Sequence, residues 1–153
     1  MTTKVTIDGL AGLKALAGKD LGAGPWHAMR FEDIQKFADV TRDHQWIHVD
    51  RERAKAGPFG APIAHGYFTL SLVAGLFFDL VETSGFKAVL NYGLNKVRFP
   101  SPLREGKNYR LSLKLADVKD VAGGADGTFV ATIEIEGETK PTCVAELIFR
   151  FIG

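Results

Sequence analysis

The sequence predicts an α+β fold in which an antiparallel sheet wraps around one central apolar helix. Two observations carry that prediction. The stretch from Gly57 to Phe78 holds no Asp, Glu, Lys or Arg, and the last third of the chain alternates apolar with polar residues, strand after strand. A helix apolar on every side has to be buried, and several half-buried strands bury it economically by curling round it. The same pattern also allows a flatter sheet with the helix laid across one face.

The elements follow in chain order. Phe31, Ile34, Phe37 and Ala38 recur at helical spacing, with Glu32 and Asp33 where a helix dipole favours acids, so a helix is predicted from Phe31 to Thr41. No Ser or Thr caps its start, because Met29 and Arg30 stand there. Thr41 to Asp50, TRDHQWIHVD, is a polar island with two histidines and two aspartates. Trp46, Ile47 and Val49 are aromatic or β-branched, so an ordered loop is expected there rather than a helix. Arg51 to Lys55 form one more helical turn before Gly57, Pro58, Gly60 and Pro62 impose a loop. The apolar helix then starts near His65 and is expected to end near Ser84 and Gly85.

Ala88 to Phe99 supplies a strand, closed by the turn from Pro100 to Pro102. Tyr109, Leu111, Leu113 and Leu115 alternate with polar partners, as do Phe129, Ala131, Ile133 and Ile135, and then Cys143, Ala145, Leu147, Phe149 and Phe151. Gly123, Gly124 and Gly127, and the GETKP segment after Glu136, are read as the hairpin turns between them.

The chain of 153 residues, 46% hydrophobic, is expected to be one domain over residues 1–153, with residues 1–30 as an N-terminal extension. Its 19 basic and 18 acidic residues are interspersed, which sets nucleic acid aside. Pro58, Pro62 and His65 confine the continuous apolar helix to about His65–Leu80, short of the ~20 residues a bilayer requires, so no membrane span is expected. The single cysteine, Cys143, reads as a small buried hydrophobe, and Lys4, Asp8, Lys14, Lys19 and Asp20 interrupt any secretory signal. A cytoplasmic setting follows.

The island is the candidate chemical centre. Asp43 and His48 lie roughly 140° apart on a continuous helix and converge only if the chain turns. In an ordered loop, a carboxylate and an imidazole can hold one water between them, with the histidine poised near neutral pH. Gln45 could orient either group through its amide. The structural alternative is that Asp43 caps a turn and His48 is a hydrogen-bonded loop residue. His44 and His48 have the spacing of two metal ligands on a helix, with Asp50 and His65 as additions; the β-branched residues that favour a loop speak against that helix.

A second constellation is Ala64-His65-Gly66-Tyr67. A helix N-terminus presents unpaired N–H groups, and glycine lets a ligand oxygen come close, so the Gly66 N–H is a candidate oxyanion donor. Gly66 could instead serve close packing, and His65 reads as a satisfied core or capping histidine. Tyr67, Trp46 and Arg98 are the candidate substrate-binding side chains, Arg98 with Lys96 and Arg104 beside the proline turn. Phe68, Phe77 and Phe78 are read as core, and His27 gets no functional reading.

DHQWIHVD, followed by GPFGAPIAHGYFTLSL, YGLNKVRFPSPLREG and KPTCVAE, resembles in order and spacing the MaoC-like (R)-specific enoyl-CoA hydratase and dehydratase family, and within it the nodulation-protein-N-like branch. The resemblance runs from about Phe31 to the end. The family pattern D-x-N-P-x-H-x-D is met by Asp43, His48 and Asp50, with Gln45 in place of Asn and Trp46 in place of Pro. The resemblance implies a hot-dog fold, a homodimer with sites at its interface, and a trans-2-enoyl-CoA substrate. It implies that Asp43 and His48 activate water while the Gly66 N–H steadies the thioester oxygen, with no metal or organic cofactor. Two alternatives stay open: a hot-dog thioesterase, and a non-catalytic acyl-thioester binding subunit.

Overall fold

The computed structural model describes residues 3–153. Its centre is α5 (Gly66–Leu80), preceded by α2 (Phe31–Thr41), α3 (Trp46–Val49) and α4 (Arg51–Ala56). Strands β5 (Ala88–Arg98), β6 (Asn108–Val121), β7 (Gly124–Ile135) and β8 (Cys143–Ile152) follow it. At the N-terminal end lie β1 (Val5–Asp8), α1 (Gly9–Ala15), β2 (Asp20–Ala23) and β3 (His27–Ala28), and β4 (Val81–Ser84) leaves α5 directly.

Six strands form one antiparallel sheet in the order β2-β6-β7-β8-β5, with β3 paired to β6 beside β2. α5 touches β2, β6, β7 and β8 as well as β4, which is the wrapped rather than the flat arrangement, and so the hot-dog form. The period-two pattern sets this up: along β7 and β8 buried residues alternate with half-buried ones, so one face of the sheet meets the helix. Phe77 on α5 is fully buried and meets Phe129 of β7 and Phe149 of β8 edge-on, at ring separations of 5.4 and 5.1 Å. Each such fully buried side chain stabilises the fold by about 1.5–3 kcal/mol.

The sequence expectations need three corrections here. α5 stops at Leu80, not near Ser84, because Val81 turns extended and Val81–Ser84 pair in parallel with Val5–Asp8. Trp46–Val49 form a helical turn, not the ordered loop expected. Of the three glycines placed in the first hairpin turn, Gly123 is at the turn with φ 81, whereas Gly124 and Gly127 lie inside β7. Gly124 is required there, since a Cβ would collide with the Phe151 carbonyl of β8. Residues 5–28, read from the sequence as an N-terminal extension, supply strands to both sheets.

Among the described residues no helix is long and apolar enough to cross a membrane. Cys143 is buried, as expected, and burial pushes its thiol up to about 11, so it is no nucleophile.

Candidate active site

The polar island begins where α2 ends. Arg42 takes the left-handed conformation at φ 66, uncommon for a residue with a Cβ, and turns the chain away from the helix axis. The Asp43 N–H donates to the Thr41 hydroxyl at 3.4 Å, and the Gln45 N–H donates to Asp43 Oδ1 at 3.3 Å. Asp43 therefore does cap a turn, but with one oxygen. Its Oδ2 accepts no hydrogen bond among the described residues, and the side chain is exposed.

His48 sits in α3 and is buried. Its Nδ1 lies 2.7 Å from the Ile63 carbonyl. A carbonyl can only accept, so Nδ1 carries a proton, and the tautomer with the lone pair on Nε2 is the one this contact selects. The Ile63 N–H in turn donates to the Ile47 carbonyl at 3.0 Å. This pair of bonds holds the island in a helical turn despite its β-branched residues: tertiary contacts override local propensity.

His65, extended at the N-cap of α5, is also buried. Its Nε2–H donates to the Asp43 backbone carbonyl at 3.0 Å, and its ring stacks on that of His48 with centroids 3.7 Å apart and planes inclined by 19°. Phe37 leans against its ring at 4.9 Å. Nδ1 has no hydrogen-bond partner among the described residues, so the protein itself satisfies one ring nitrogen of His65 and not both. Burial lowers its pKa, with the Asp43 carbonyl opposing and His48 adding to the shift, and the ring stays neutral.

One side-chain atom each from Asp43, His48 and His65 lies within 4.8 Å of the others. The stack argues against a shared metal ion. A ligand lone pair points in the ring plane, so two nearly parallel rings cannot both aim at one ion between them. The other candidate ligands are dispersed: His44 is exposed and bonds Asp39 at 2.9 Å, and Asp50 caps α4 through the Arg53 N–H at 3.0 Å.

Asp43, His48, His65 and Gly66 line one cavity of about 660 Å³, walled by Phe37, Tyr67 and Phe99. Gly66 opens α5, and its N–H donates to nothing among the described residues. A Cβ on Gly66 would press on the Phe99 ring at 3.2 Å. Tyr67 stands at the rim, 73% exposed.

Three expected site residues fall elsewhere. The Gln45 side chain makes no hydrogen bond to Asp43 or His48 among the described residues; its backbone does so, the N–H donating to Asp43 Oδ1 and the carbonyl accepting from the His48 N–H at 3.0 Å. Trp46 turns toward α4, under Arg53 at 4.3 Å and against Gly57. Arg98 bonds its own Val97 carbonyl and lines a separate cavity with Lys96 and Glu146, while Arg104 is spent on the Phe59 carbonyl. His65, Phe37 and Phe99 join the candidate residues in the cavity lining although the sequence reading did not place them there. For His65 the signals were its adjacency to Gly66 and its grouping with His48 as a possible ligand.

The lowered pKa of His65 has a measurable consequence. The unfolded chain, at an ordinary histidine value of about 6.5, takes up a proton more readily than the folded one. The resulting stabilisation is complete above that value and is lost as pH falls toward the folded-state value. Urea midpoints measured from about pH 8 to about pH 5 are expected to fall over the lower half of that range, and to fall less in His65→Phe. Identical profiles would contradict the assignment.

Comparison with known proteins places this geometry in company. The family model described as a MaoC like domain matches residues 13–136. The chain is 47% identical over 149 residues to the 3-hydroxyacyl-thioester dehydratase Z of Mycobacterium tuberculosis, covering 97% of this chain and 99% of that one. It is 39% identical over 146 residues to Nodulation protein N of Rhizobium leguminosarum bv. viciae, covering 91% and 88%. Among solved structures, the unliganded R-hydratase PhaJ1 of Pseudomonas aeruginosa superposes with a TM-score of 0.72 at 18% identity, over 89% of this chain and 81% of that one, a likeness of fold. The similarity therefore reaches well before Phe31, further than the motifs alone suggested.

Proposed function

The chain belongs to the MaoC-like dehydratase family, and from that premise we propose that it adds water to a trans-2-enoyl-CoA to give the (R)-3-hydroxyacyl thioester, or runs the reverse dehydration. The observation that carries the reading is that Asp43, His48 and Gly66, the first residue of α5, line one cavity, with side-chain atoms of Asp43 and His48 within 4.8 Å of each other. A water held between Asp43 and His48 Nε2 gives its oxygen to C3, and His48 takes the proton released. That proton then passes to C2, so the elements of water are added and His48 is restored. Negative charge grows on the thioester oxygen as C3 is attacked, and the Gly66 N–H, backed by the helix dipole, steadies it. Nothing in this sequence of steps calls on a metal or organic cofactor.

A second copy of the chain is the partner in this reading. The edge strand β5 leaves Leu90, Tyr92 and Leu94 about half exposed, and Phe99, just past its end, is exposed beside Tyr67, more apolar surface along a free sheet edge than a lone chain gains from. Sedimentation is expected to give twice the chain mass, and Leu94→Asp to shift it toward the monomer; a wild type that stays monomeric at all concentrations would contradict this. The buried, unpaired Cys143 supports a reducing, cytoplasmic setting.

The test is a panel of enoyl-CoA chain lengths, following loss of the conjugated double bond and resolving the configuration of the product. The (R) product is expected; the (S) product would overturn the stereochemical assignment, and free thiol without hydration would mark thioester hydrolysis instead. The oxyanion donor has its own test in Gly66→Pro. Proline is suited to the first position of a helix, and His65 at φ −57, ψ 138 already has the extended backbone that a preceding residue must adopt. The change removes the N–H, and kcat is expected to fall by about 10²- to 10³-fold. Gly66→Ala, which presses on Phe99 but keeps the N–H, is expected to lose much less; equal losses would contradict the role.

A further inference from the structure

We propose that His65 is a positioning residue for this reaction, fixing the Asp43 backbone through its Nε2–H and the His48 imidazole through its ring face. One side chain thereby sets the separation of the two reacting groups. The inference rests on the hydration reading of the site.

Three observations support it. Asp43 stands on an exposed turn, and its own other hydrogen bonds are local and long, at 3.3 and 3.4 Å, whereas the bond from His65 is 3.0 Å and spans 22 residues. Among the described residues it is the contact that ties this turn to the helix carrying Gly66. His48 is held in its ring plane by the Ile63 carbonyl at 2.7 Å, and His65, stacked at 3.7 Å, closes one face against tilting. Together the two contacts leave the His48 lone pair one direction to point.

The third observation concerns cost. His65 is 4% exposed among the rings of Phe37 and His48, and among the described residues no group donates to its Nδ1. A buried acceptor without a donor is a stability loss that a phenyl ring of similar size avoids. Packing therefore does not account for an imidazole here, and a residue kept at the expense of stability is a mark of function.

His65→Phe keeps the ring face and removes the Nε2–H; His65→Gln keeps an amide N–H able to reach the Asp43 carbonyl and removes the ring. In His65→Phe the Tm is expected to equal or exceed that of the wild type, kcat to fall about 10-fold or more, and KM to stay within about 2-fold. His65→Gln is expected to recover part of kcat. Wild-type kcat in His65→Phe, a loss confined to KM, or a Tm falling along with kcat would each overturn the proposal. NMR of the ring nitrogens in histidine-labelled wild type gives a readout free of activity: His65 is expected neutral with its proton on Nε2, and a proton on Nδ1 would refute the contact. If the wild type fails to hydrate any enoyl thioester, the functional reading falls, and the tautomer still decides whether His65 holds Asp43.

Discussion

Replacing His48 with alanine is expected to lower kcat for enoyl-thioester hydration by about 10²- to 10⁴-fold, the usual contribution of a positioned acid/base group. The reason lies in the tautomer. With Nδ1–H committed to the Ile63 carbonyl, Nε2 is the one nitrogen left to take a proton from water. Asp43→Asn is the companion change and is cleaner for stability. Asparagine Oδ1 can still accept from the Gln45 N–H and keep the turn, while the negative charge that would orient and polarise the water is gone. Steady-state kinetics on both variants, with circular dichroism to confirm folding, checks the expectation; wild-type turnover in either would remove that residue from the mechanism.

Phe77→Ala is expected to carry the largest effect on stability. Phe77 is fully buried and is the point where α5 engages the sheet, meeting Phe129 and Phe149 edge-on. Removing the ring loses its transfer free energy and leaves a cavity the surrounding strands cannot close, at a cost of about 3–5 kcal/mol. In a chain of this size that corresponds to a fall in Tm on the order of 10 °C. Phe77→Leu, which refills part of the volume, should recover about half. A loss below about 1 kcal/mol in Phe77→Ala would mean that the helix is not packed as described.

What could be read from the sequence followed from strong local patterns. The bounds of α2 were legible because apolar spacing and first-turn acids agree, and β5 to β8 were legible because alternation at period two survives on a half-buried face. The β1–β4 pair was not, since four-residue strands carry little periodicity and their partners lie 76 residues apart. The helical turn at Trp46–Val49 contradicts its own propensities and depends on Ile63, which local reading cannot see. The site divides in the same way. Asp43, His48 and Gly66 can be picked out from side-chain chemistry and a helix start, and the structure brings them to one cavity. Gln45 was overvalued because its amide looked useful, although its backbone makes the contact. His65 was undervalued because its partner is a backbone carbonyl, invisible in any residue pattern.

The central claim is that Asp43 and His48 act on one water as a unit. A double-variant cycle with Asp43→Asn, His48→Ala and the combination, assayed for hydration of an enoyl-CoA, tests it most directly. Residues that share one water are expected to be strongly non-additive, with the double variant scarcely slower than the worse single one. Losses that simply multiply, or a single variant as fast as the wild type, would contradict it.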